Sequence, residues 1–391
     1  MQKNNNIDFN SNGVIISGVI LGTIGVLSFI VQPGLVQGFV TEMSLSEADA
    51  NALAFDEMLG VAIATFVTSF VKTRFSWRHI LTVALSFSVM GNLFSAFAVH
   101  SPEFLSSARF LAGLGEGSII SLSFTIIGLT KRVERNLAAY LTLLLTYGAL
   151  GLWLMPKAFD VLGMQGIFLI WALLTALSYA LIKFVPCASE QVDHSESESL
   201  DMPVSIRFLA LLGVLLFNLA IGVAWANLFL IGMEIEPNEQ AIANALLISQ
   251  FVAILGALIP VFMERRLGLF KPIALTLSVS AISIALLLDN PNLTIFIIAV
   301  SGFNFMWNFG LPFVLSGVGK LDKKGNMISL AIALQMTGLG FGPFFGAIIL
   351  GNDGSFYDVE VLVIALYLLS AIPLLWALKA HRNKLNSCLD D

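Results

Sequence analysis

The sequence predicts an all-α membrane protein of twelve transmembrane helices in two six-helix bundles. Three observations predict it. The first is composition: 57% of the 391 residues are hydrophobic and 12% are charged, with a mean hydropathy of +0.88. Ordinary soluble domains are about 45–50% apolar and about 25% charged, and a soluble core of this size leaves no room for the excess. The second is the spacing of the charges, which leaves twelve long apolar runs, each about the length of a bilayer span. The third is the one-sided placement of the basic residues between those runs.

The first run, 13–37, follows the polar start MQKNNNIDFNSN and is too long for a signal-peptide core, so it reads as a retained anchor. The second, 52–71, has Asp56 and Glu57 at its opening, where acids cap or solvate a helix end. The third is 80–99. The fourth, 104–129, carries the intramembrane charges Arg109 and Glu116. The fifth, 137–155, ends at Pro156 and Lys157, and the sixth is 165–184. The second six are 206–232, 240–263, 272–289, 293–318, 326–350 and 359–380.

Between the halves, 185–205 is serine-rich and acidic (Glu190, Asp193, Glu196, Glu198, Asp201) and reads as a linker on one side of the membrane. It divides the chain into 1–184, the first six-helix bundle, and 206–391, the second bundle with a short tail. Placing the N-terminus in the cytoplasm puts 18 of the 20 Lys and Arg on that face, Arg109 and Lys157 being the exceptions. One missed span would invert every later loop, so this bias supports twelve spans with both termini cytoplasmic. Compactness and short loops point to a bacterial inner membrane.

The halves show a weak internal repeat. RFSWRHILTVALSFS from Arg74 aligns with RLGLFKPIALTLSVS from Arg266, each following the second span of its half. Span four contains Arg109-Phe-Leu-Ala-Gly113-Leu-Gly-Glu116-Gly117, and span eleven Gly338-x-x-x-Gly342-Pro343-x-x-Gly346. With the six-plus-six layout, these elements resemble the major facilitator superfamily of secondary transporters. Span four is similar to that family's RxxxGxxxG signature, and the segment is like spinster-like and organic-anion members. Arg74 and Arg78 match the basic positions of the family's loop after span two, although Ser69, Thr73 and Ser76 stand where it has two glycines and an acid. Arg266 and Gly268 match in the second half. The resemblance implies that these four residues form a conformational latch. The glycine–proline motif resembles one that antiporters of the family carry in span five, but here it sits in span eleven.

An ionisable residue in the hydrocarbon layer is a functional hypothesis by default. Glu116 lies near mid-depth, and Arg109 is about 10 Å away along the same face. Alternating access would change the surroundings of Glu116, so it is read as the proton-coupling acid with Arg109 as its modulator; the competing reading is that the two only pin helices. A second cluster is uncharged: Asn218, Gln250, Asn304, Asn308 and Gln335 near mid-depth, with Trp225 and Trp307 nearby and Gln32 the most polar deep residue of span one. Amides in hydrocarbon need partners, so these eight are candidates for a solute-binding wall suited to hydroxyls, amides or a neutral ring.

Walker, HExxH and GxSxG motifs are absent, so no enzyme activity, metal or cofactor is expected and the energy would come from a gradient. A net charge of −6 gives no support for nucleic-acid binding. The expected partners are a small-molecule solute, protons and the lipid bilayer, with the chain a monomer. The function expected is proton-coupled movement of a small organic solute. Export of an amphipathic compound or lipid, and a non-transporting sensor, are the alternatives.

Overall fold

The computed structural model describes residues 8–187, 200–289, 291–322 and 326–390. Most of the linker and several side chains, Arg266 among them, lie outside the described residues. Nine helices among the described residues are long and apolar enough to cross a bilayer. The bent pair Asn12–Ile24 and Phe29–Met43 makes another span. The continuous run Val133–Leu177 is two spans, turned back at Gly163, whose φ of 62° suits glycine. The shorter apolar helix Phe270–Ala285 brings the total among the described residues to twelve. The chain is therefore an integral, multi-pass helical membrane protein.

Span one is Asn12–Ile24, a short 3-10 turn Phe29–Val31 and Gln32–Met43, bent by 49°. Pro33 has a physical part in that break. It has no N–H to donate to the carbonyl of Phe29, four residues earlier. Span two is Glu47–Val71, three Trp77–Phe97 and four Pro102–Gly128. In the second half, spans seven to twelve are Val204–Ile235, Glu239–Leu267, Phe270–Ala285, Leu293–Gly319, Asn326–Gly351 and Phe356–Asp390.

Span two begins at Glu47, five residues before the expected start. Ser46 caps it, its hydroxyl accepting from the Asp49 N–H at 3.1 Å. That extension corrects the reading of Glu57. It is no helix-end acid: it lies ten residues, or about 15 Å, into the helix and is 3% exposed.

Glycines set the helix spacing in the first bundle. A Cβ at Gly113 would collide with the Glu57 carbonyl, and one at Gly117 with the Val61 carbonyl, so spans two and four touch backbone to backbone. Gly115, on another side of the helix, meets Ala84 and Ser88 of span three. In span eleven, Gly338 and Gly342 pack on span seven in the same way, while Gly340 meets Met58 of span two.

The face that carries the termini is held within each half. Arg78 donates to the carbonyls of Val185 at 2.7 Å and Lys183 at 3.1 Å, and Asn10 accepts from the Lys131 N–H. In the second half, Lys384 donates to the Asp201 carbonyl at 2.9 Å. Bonds between the bundles lie at mid-depth or toward the opposite face. Asn51 donates to Asn227 at 2.9 Å, Gln37 to Glu239 at 3.2 Å and Gln240 to the Trp153 carbonyl at 3.2 Å. Phe55 packs edge-on against Phe341 and tilted against Phe344, with centroids 5.3 and 5.0 Å away. These contacts seal the face opposite the termini.

Candidate functional site

Arg109 is wholly buried. Its guanidinium forms a two-pronged ion pair with Glu57, donating through Nη2 to Oε1 and through Nε to Oε2, the latter at 3.3 Å. Nη1 donates to Asn92 Oδ1 of span three at 2.9 Å. The ring faces of Phe168 and Trp171 in span six lie 5.0 and 5.8 Å from the guanidinium carbon. Arg109 thus ties spans two, three, four and six together. Its planar fork suits a carboxylate and its faces suit rings.

Glu116 is 2% exposed. Its Oε2 accepts from Ser28 in the span-one break at 3.1 Å. Its carboxyl also has Glu57 and Arg109 as charged neighbours, and both act on it electrostatically. Tyr147 of span five is also near enough to sense it, and the Tyr147 hydroxyl accepts from Trp171 Nε1 at 3.1 Å. The site therefore holds two carboxyls and one guanidinium, all out of water. Two negative charges and one positive balance only when the pair of acids holds one proton, and uncompensated buried charge is expensive.

Sequence reasoning singled out Glu116 and Arg109 as intramembrane charges and placed Glu57 at a helix end. The signal that could have found it was the Ser46-x-x-Asp49 cap, which moves the helix start. Arg109 is primarily the partner of Glu57; its influence on Glu116 comes alongside that pairing.

Beside the site, between the bundles, is a cavity of about 80 Å³. Val61 and Ile120, one turn along from Glu57 and Glu116, are part of its wall. So are Phe29, Tyr140, Trp307, Asn308 and Gln335, and no lining residue is charged. Tyr140 and Leu311 place the cavity at mid-depth and toward the termini face, on the far side of the seal.

Of the eight residues expected in a solute wall, Trp307, Asn308 and Gln335 line this cavity. The other five are outside its lining. Trp225 is fully buried and its indole donates to the Phe29 carbonyl at 2.9 Å. Its ring meets Trp307 at 5.6 Å. Asn304 donates to Ser249 at 3.1 Å within the second bundle. Asn218 donates to its own helix, at the Val214 carbonyl, where Gly338 packs on it. Gln250 is fully buried with neither amide atom partnered, close to Gly148 of span five. Gln32 is buried with its Oε1 unpartnered. Of the four expected latch residues, Arg74 is exposed, Arg78 holds the end of span six, Gly268 ends span eight at φ 62°, and the Arg266 side chain lies outside the described residues.

No protein-family model and no curated protein matches the chain. Solved structures do. A D-xylose-proton symporter superposes with a TM-score of 0.72 at 13% identity, over 93% of this chain and 96% of that one. The nucleoside transporter NupG gives 0.69 at 14%, over 95% and 99%. The major facilitator superfamily transporter FucP, in its outward conformation, gives 0.64 at 14%, over 94% and 97%. At such identities the likeness establishes the fold: this chain has the major facilitator fold along nearly its whole length.

Proposed function

We propose that this chain is a secondary active transporter that moves a small uncharged organic solute by alternating access, driven by protons. Both termini face the cytoplasm in this reading, in line with the positive charge of the loops on that side. The cavity would then be the cytoplasm-facing vestibule, and the seal through Asn51, Asn227 and the Phe55 ring cluster the closed outer gate.

The observation that carries the proposal is the buried Glu57–Arg109–Glu116 group beside a cavity between the bundles. An acid pair that needs one proton for neutrality, with a fixed guanidinium as counter-charge, is a proton carrier whose affinity follows its access to water. Rocking of the bundles alters that access at each end of the cycle. The cavity wall supports the solute class. It offers an indole, a phenol and two amides but no charge, which fits hydroxyl- or amide-bearing neutral compounds. Its structural neighbours include a D-xylose-proton symporter and a nucleoside transporter.

The test is proteoliposome uptake. A panel of labelled pentoses, hexoses and nucleosides is offered with and without an inwardly directed proton gradient. Accumulation that requires the gradient is expected. Glu116→Gln should keep downhill exchange and lose gradient-driven accumulation. Uphill uptake by Glu116→Gln equal to that of the parent would refute the coupling role.

A further inference from the structure

Two adjacent residues in the span-one break touch different machinery. Ser28 Oγ donates to Glu116 Oε2 at 3.1 Å, inside the first bundle. The carbonyl of Phe29 accepts from Trp225 Nε1 of the second bundle at 2.9 Å. That carbonyl is open to the indole because Pro33 cannot supply the usual i+4 N–H; within the backbone it accepts the tighter turn bond from Gln32. The same segment reaches the solute cavity through Gly25, Val26, Phe29 and Ile30. The Phe29 ring meets Trp307 at 6.3 Å, and Trp307 meets Trp225. Gly25 lets the segment lie on span four, where a Cβ would come within 3.1 Å of the Glu116 carbonyl.

We infer that Ser28 and Trp225 are positioning residues for coupling: the span-one break carries the charge state of Glu116 to the second bundle and to the solute wall. This rests on the proton-coupled reading. A hydroxyl bond to an ionised carboxylate is roughly twice as strong as one between neutral groups. Ionised Glu116 therefore holds Ser28, and with it the Phe29 carbonyl, in register with the Trp225 indole. Once the site is neutralised the hold weakens, and the break moves relative to Trp225. The groups that share this electrostatic setting are Glu57 of span two, Arg109 of span four and Tyr147 of span five. A mutual approach of bundles that depended on packing alone would need neither hydroxyl nor indole N–H.

The experiment needs no known solute. Full-length protein in nanodiscs, in a Cys187→Ser and Cys388→Ser background, carries spin labels at Thr41→Cys and Asn352→Cys. Both positions are exposed at the face opposite the termini, one in each bundle. Pulsed electron–electron distances are recorded at pH 5 and pH 8. The parent should shift its distance distribution with pH. Ser28→Ala and Trp225→Phe should each reduce that population change roughly fivefold, about the effect of one net hydrogen bond, while Ser28→Thr retains it. If the parent responds and both Ser28→Ala and Trp225→Phe respond equally, this inference is overturned and proton coupling stands. If the parent itself shows no response, both fall together.

Discussion

The ion pair between Glu57 and Arg109 can be tested as a closed cycle of Glu57→Gln, Arg109→Met and the double variant. Arg109→Met strands two buried carboxyls, removes the bond to Asn92 and empties the space beside Phe168 and Trp171. Breaking a buried pair by removing one partner costs about 3–5 kcal/mol, so the loss should fall in that range. Glu57→Gln leaves Arg109 with Glu116 still near enough to act as counter-charge. Its cost should be smaller, about 1–3 kcal/mol, the scale of a lost charged hydrogen bond. The double variant leaves one acid, which a single proton neutralises. It should therefore be more stable than the sum of the single losses predicts, by at least about 1.5 kcal/mol. Stability is read from reversible unfolding in mixed micelles on addition of a denaturing detergent. Strict additivity, within about 0.5 kcal/mol, would show that the two side chains do not act as a pair and would remove the basis for the charge-balance argument.

Two further outcomes follow from the packing. Gly113→Val should cost about 1–3 kcal/mol by overpacking, because the new side chain meets the Glu57 carbonyl; Leu111→Val, at a half-buried position of the same helix, is the control, and equal melting of the two would refute backbone contact between spans two and four. Asn51→Ala should leave Asn227 without its cross-bundle donor and shift the population toward a state open opposite the termini, by roughly fivefold for one net hydrogen bond. Maleimide labelling of a Gly351→Cys site in the cysteine-free background reads the change, and an unchanged rate would show that this bond does not hold the gate.

Much of the fold was legible along the chain because its signals are one-dimensional. Run length reports bilayer thickness, and the side on which Lys and Arg fall reports topology. Arg109 and Glu116 stood out for the same reason, as charges inside an apolar run. Glu57 did not, since its significance depends on a residue 52 positions away. That pairing needs the helix start at Glu47, the close approach allowed by Gly113 and the rotation that turns Glu57 toward span four. Periodicity along one helix contains none of these. The amides show the same division. Their depth could be read from span midpoints, but whether an amide faces the cavity, as Asn308 does, or a neighbouring serine, as Asn304 does, is a matter of helix rotation.

Chain order alone thus determined that apolar helices cross a membrane and that a few charges are buried there, because transfer out of water depends on residue type and run length. Only the packed structure decided which acid meets Arg109, where the two bundles touch, and how a proline four residues beyond Phe29 opens its carbonyl to Trp225. Those contacts join distant parts of the chain through angles and distances that arise only when the helices dock.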